Sequence, residues 1–204
     1  MVGKIFITRS GYDPELGKDV KDPYLGPYPT LGACRPDIRE KLTEGDHVFV
    51  VSGKVSAAPQ FVMGGFQVES KITAMAAYRL FPHLRLRQLA DGQVSGNIIV
   101  NSSGRQHRLD DHNSFERRIS NYLVGRKGIR ISNAYEVAIG RLETLEALQE
   151  ILKKKGKTPF ELLGRSGATL NETQVIRMRE WLEQIKHQSV ELMRRSMVGS
   201  GSAA

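Results

Sequence analysis

Between residues 10 and 29 the chain carries Pro14, Pro23, Pro27 and Pro29 together with Gly11, Gly17 and Gly26. Each proline removes a backbone donor and fixes φ, so the stretch can form neither a helix nor the interior of a sheet. It follows directly on residues 4–9 (KIFITR), whose β-branched and aromatic residues read as a strand inside a sheet. The chain must therefore leave its first strand through a long irregular segment, and ordered segments of that length usually carry function or are disordered.

Beyond it, residues 36–43 (PDIREKLT) start with proline and an acidic residue, which predicts a short helix ending before Gly45. Residues 47–51 (HVFVV) read as a buried strand and residues 61–72 contain another. Residues 74–81 read as a short helix stopped at Pro82, and residues 98–100 and 129–132 as further strands. The run TLEALQEILKKK puts Leu145, Leu148, Ile151 and Leu152 on one helical face, closed by Gly156. Asn171 caps a longer helix to about Ser196, with Val175, Met178, Leu182, Ile185, Leu192 and Met193 near helical spacing. The apolar stripes and Trp181 are expected to pack rather than to hold a cofactor. Strands first and helices last make an α+β fold, sheet-centred over residues 1–138, with a helical extension over 139–198 and a flexible tail over 199–204.

With 204 residues there is enough chain to bury a real core. The net charge of +8 favours a polyanion, and the positive excess gathers between residues 105 and 130, where Arg105, Arg117, Arg118, Arg126 and Lys127 become candidate phosphate ligands. Phosphate contacts read DNA and RNA alike, so RNA stays open as a partner beside DNA. A single cysteine, Cys34, excludes an internal disulfide, and no Cys/His cluster has zinc spacing. No metal or cofactor is expected. No apolar run is long enough to span a bilayer and no secretion signal is present, which points to a cytoplasmic protein without a membrane partner.

The segment with most chemistry is residues 26–39, GPYPTLGACRPDIR. It joins a Pro/Gly-rich loop to the lone cysteine and to a helix start, where the helix dipole and Arg35 would favour a thiolate. The alternative is a buried, inert cysteine. Thr30, Leu31, Cys34, Arg35, Pro36, Ile38 and Arg39, followed by Gly45, Asp46, Ser52, Gly53 and Lys54, resemble the pattern of the nucleotide-modification-associated (Nmad) domains, with the order of the last serine and glycine reversed. The stretches FVMGGFQVESKIT, SGNIIV and DDHNSF are similar to later parts of that pattern, SGNIIV lacking an aspartate, and the resemblance covers about residues 4–135.

That resemblance implies work on hypermodified bases in phage and bacterial DNA, alongside other base-modification proteins, and a compact sheet-based fold related to the PUA-like barrels. It makes Cys34 the candidate nucleophile, for instance toward the nitrile of a 7-cyano-7-deazaguanine in DNA, since no G-x-S-x-G or H-E-x-x-H motif competes. Asp110, Asp111 and His112 are candidate proton carriers, the aspartates having the alternative of capping a helix over residues 115–122. Tyr28, Thr30, Arg35, Arg39, Ser52 and Lys54 are candidate substrate ligands. A binding module would use the same basic residues, with Tyr24, Tyr28 or Phe66 stacked on a flipped base. A third class is a subunit of a modification complex, docking through Arg177, Arg179, Lys186, Arg194 and Arg195 on the last helix.

Overall fold

The computed structural model describes residues 1–9, 20–54 and 58–200, with side chains up to residue 195. Residues 10–19, which hold Gly11, Pro14 and Gly17, and residues 201–204 of the expected tail lie outside the described residues. The fold is α+β. Eight strands are described: β1 (Gly3–Ile7), β2 (Thr30–Leu31), β3 (His47–Val51), β4 (Val62–Ile72), β5 (Arg87–Gln88), β6 (Val94–Ser95), β7 (Tyr122–Arg130) and β8 (Ala168–Leu170). Six of them form a sheet of order β2-β7-β4-β3-β1-β8, and β5 and β6 pair separately. Six helices accompany them: α1 (Pro36–Arg39), α2 (Ala74–Leu80), α3 (Phe115–Ile119), α4 (Ala134–Leu152), α5 (Pro159–Leu163) and α6 (Glu172–Ser200).

Contacts group the chain into two compact units, the division falling within β3, β4 and β7. The first unit takes Met1–Asp19, Val48–Gly65 and Ile129–Ala204. Its helices pack through the apolar stripe read in the sequence: Val175, Met178, Leu182 and Ile185 of α6 are fully buried, as is Leu148 of α4. Each such side chain contributes about 2 kcal/mol of burial. Asn133 caps α4 in a capping box with Glu136, and Glu136 also receives Lys186 of α6 at 2.9 Å. Arg177 pairs with Glu150 and Arg179 with Glu183, so three of the five basic residues considered for docking are already in ion pairs. Trp181 is buried and donates its indole N–H to Glu143, in keeping with a packing role.

The second unit takes Val20–His47 and Phe66–Gly128. Its core gathers Ala74, Ala77, Leu84, Ile98, Val100, Tyr122 and Val124, with Tyr24, Tyr78, Phe81 and Phe115 packed against it.

Several elements differ from the sequence reading. The helix after Cys34 has four residues rather than eight, and the chain turns again at residues 43–46, where the Asp46 carboxylate accepts the Thr43 N–H and hydroxyl. Residues 98–100 form only isolated bridges, to Arg85 and Gln106, instead of a strand. Tyr122 opens a strand and does not close a helix, and β7 begins well before residue 129. Helix α4 starts at Ala134, so residue 138 lies within it, and α6 continues to Ser200.

One backbone contact in the first unit admits no side chain. Gly64 in β4 has φ of +140°, and a Cβ there would stand 2.0 Å from the Ile129 carbonyl oxygen. The Gly64→Ala variant is expected to lose about 3 kcal/mol, read as a lower urea midpoint with an unchanged slope.

Candidate functional site

Asp22 lies within the proline-rich segment, directly before Pro23, and is buried. Its Oδ1 accepts the Gly32 N–H at 2.8 Å, and its Oδ2 accepts the N–H groups of Ala33 at 2.9 Å and Cys34 at 2.5 Å. Three successive amides thus converge on one carboxylate, as they would on a bound anion. Asn97 adds a fourth bond to Oδ1 at 3.0 Å and donates to the Thr30 hydroxyl at 2.9 Å. The Tyr122 hydroxyl in turn donates to Asn97 Oδ1 at 2.7 Å. Gly32 has to be glycine here, since a Cβ would meet the Asn97 carbonyl and the Tyr122 ring, each at 2.6 Å.

The carbonyls of the same loop are held from the other side. Arg39 is fully buried, and its Nε donates to the Cys34 carbonyl at 2.9 Å. Its terminal nitrogens reach the carbonyls of Ser120, Asn121, Ala33 and Arg118 at 2.7 to 3.3 Å. A guanidinium has five N–H donors, so Arg39 is saturated by backbone and has none left for a substrate. Arg118 donates to the Ala33 carbonyl and to the Asn113 carbonyl, each at 2.8 Å, which ties the segment after His112 to the cysteine loop. Three non-glycine residues beside these contacts have left-handed backbone: Arg35 at φ 51°, Ser114 at φ 60° and Asn121 at φ 56°. Such strain persists only where the surroundings over-determine the conformation, and it gathers at functional sites.

The half-buried Cys34 is therefore fixed in place, but not as a thiolate. Burial pushes its thiol pKa well above the ordinary range, and the Asp22 carboxylate, in side-chain contact with the sulfur, pushes it further; Arg118 and Arg39 pull the other way. This corrects the expected activation by Arg35 and a helix dipole. Arg35 is engaged with Asp37 at 2.7 Å, and α1 is too short to develop much of a dipole. Burial also raises the pKa of Asp22 itself, against the pull of its amide partners and Arg39.

The other sequence candidates are distributed as follows. Asp110 and His112 form a pair at 2.6 Å, with Asp111 at 3.9 Å, and Gln106 braces Asp110 at 2.8 Å. Neither aspartate caps α3, whose N-cap is Ser114 without a side-chain bond. Thr30 is buried within the Asn97 network, whereas Tyr28 is 63% exposed. Ser52 is buried and its hydroxyl accepts the Phe61 N–H, while Lys54 is exposed; both belong to the first unit. Phe66 is fully buried and packs where a Cβ on Gly125 would be, so it cannot stack on a base. Arg105, Arg126 and Lys127 are exposed, and Arg117 pairs with Glu40 at 3.0 Å. Asp22, Asn97 and Tyr122 are the members that sequence reasoning missed. The one available hint was Asp22 itself, an acidic residue directly before Pro23 and ahead of the uncharged run YLGPYPTLGAC.

No protein-family model matches the chain, and neither does any curated protein or solved structure.

Two measurements probe the site. Alkylation of Cys34 by iodoacetamide should show a pH midpoint well above that of a free thiol; a midpoint in the ordinary range contradicts the described environment. Replacing the saturated guanidinium, as in Arg39→Met, should cost about 3–5 kcal/mol in chemical denaturation, because the carbonyls lose their donors and Asp22 its counter-charge.

Proposed function

We propose that the protein acts on a modified base in DNA, with Cys34 as nucleophile and Asp22 as the group that receives its proton. The observation that carries this reading is the clamp itself: buried Asp22 holds the amides of residues 32–34, and buried Arg39 holds the carbonyls of Ala33 and Cys34. A packing cysteine has no need of such anchoring. A reacting sulfur gains from it, since orientation within a fraction of an ångström is a large share of catalysis.

The reaction consistent with this arrangement is hydration of a nitrile such as that of 7-cyano-7-deazaguanine. As the S–C bond forms, the thiol proton passes to Asp22 and a proton reaches the nitrile nitrogen, leaving a thioimidate. Water then adds to the same carbon, the C–S bond breaks, and the sulfur recovers its proton as the amide leaves. The net change is one water added. The His112–Asp110 pair, whose segment Arg118 ties to the loop, is the proposed carrier for the water's proton. The resemblance to Nmad domains, with its PUA-like expectation, supports the choice of a DNA base.

The protonated thiol favours a second reading, a module that binds modified-base DNA without chemistry. Arg105, Arg126 and Lys127 would then contact phosphate, and affinity would fall with salt at a log–log slope near 0.9 per phosphate. An oligonucleotide carrying the nitrile base separates the two. On the catalytic reading its mass rises by one water with the wild type and stays unchanged with Cys34→Ala. Full turnover by Cys34→Ala removes the sulfur from the mechanism, and salt-sensitive binding without any mass change supports the module.

A further inference from the structure

In the second unit a column of rings runs from the core to the surface on the side of α2. Tyr122 is buried, and Phe81 stacks on it at 6.5 Å with an interplanar angle of 18°. His83 meets Phe81 edge-on at 6.3 Å and Tyr24 edge-on at 5.8 Å. The position of His83 follows from local structure: α2 ends ahead of Pro82, and the 3-10 turn Pro82–Leu84 buries Leu84 while leaving His83 exposed. The outer end of the column is thus an exposed imidazole framed by two partly buried aromatic rings.

Charge accompanies the rings. Across residues 73–98 the chain carries Arg79, Arg85 and Arg87 against a single acidic residue, Asp91. Arg85 lies 3.9 Å over the Tyr78 ring and spends only its Nε–H, on the Tyr78 carbonyl at 2.9 Å. Its terminal amino groups have no hydrogen-bond partner among the described residues, and Arg79 and Arg87 are exposed.

Aromatic faces interleaved with unpaired arginines suit an unpaired nucleobase on its phosphodiester strand. A duplex keeps its base faces stacked inside and offers phosphates and base edges, but no face for the rings to stack on. An acidic peptide offers carboxylates and nothing flat to stack on the rings. We propose that this surface binds single-stranded nucleic acid, one base stacking against His83 between Tyr24 and Phe81, with flanking phosphates on Arg79, Arg85 and Arg87. This deepens the proposed function and rests on it for biological context. Through the Tyr122 hydroxyl and Asn97, the inner end of the column is bonded into the network that holds the Cys34 loop.

The test uses a fluorescently labelled oligodeoxynucleotide of unmodified bases, single-stranded and as a duplex, with the full chain. Because no modified base is present, the outcome is independent of turnover. His83→Ala should weaken single-strand binding roughly five-fold or more while changing duplex binding little. The double variant Arg79→Ala/Arg87→Ala should reduce the single-strand salt slope by about 1.4, the share of two phosphates. All three side chains are exposed, so unchanged melting curves are expected to accompany these losses. The proposal is overturned if the wild type fails to bind the single strand, or if His83→Ala binds it as tightly as the wild type. Equal losses for single strand and duplex, or displacement of the oligonucleotide by polyglutamate as readily as by unlabelled strand, would overturn it as well.

Discussion

Asp22 and Arg39 hold one short loop between opposite charges, and the rest of the second unit is arranged around that opposition. The carboxylate takes three consecutive amides and the guanidinium takes five carbonyls, drawn from both the cysteine loop and residues 118–121. Hydrogen bonds to charged groups contribute about 1.5–3 kcal/mol each, but a buried charge that loses its counter-charge costs several. The two residues are therefore stable only together. Asn97 and Tyr122 extend the network into the core beside Ile98 and Val124, so the polar loop and the apolar core constrain one another.

The parts of this fold that could be read from the sequence are those whose own residues decide their state. His47–Val51 is continuous in β-branched and aromatic side chains, α2 has Thr73 at its cap and Pro82 beyond its end, and α6 combines Asn171 with a long apolar stripe. What escaped was decided by distant residues. Strand β7 reads YLVGRKGIR, in which Gly125 is present because the Phe66 ring occupies the place of a side chain and Gly128 sits against Pro29. Those glycines, with Arg126 and Lys127 between them, erase the alternation by which a strand is recognised. The first turns of α4 were obscured likewise by Gly140 and by a start signal, Asn133 to Glu136, that precedes no clear apolar stripe.

The same division holds at the site. The sequence singled out the segment containing Cys34, but the groups acting on the sulfur come from residues 22, 39 and 118. Proximity along the chain made Arg35 the natural partner, and its side chain instead turns to Asp37. A thiol's ionisation is set by what surrounds it in space: burial, and after it the Asp22 carboxylate, raise the thiol pKa against the pull of Arg118 and Arg39.

That balance bears on how such a sulfur could act. Arg35, Ser114 and Asn121 each hold left-handed backbone, a strain of about 1–3 kcal/mol apiece, and the bonds of Arg39 and Arg118 keep it in place. A loop fixed at this cost does not move readily, so on the catalytic reading proposed above reactivity would come from moving a proton instead. Among the described residues Asp22 is the carboxylate that acts on the thiol, and burial raises the proton affinity of both groups. In the proposed reaction the proton would pass between two groups already in contact, while the backbone of residues 32–34 stays where Asp22 and Arg39 hold it.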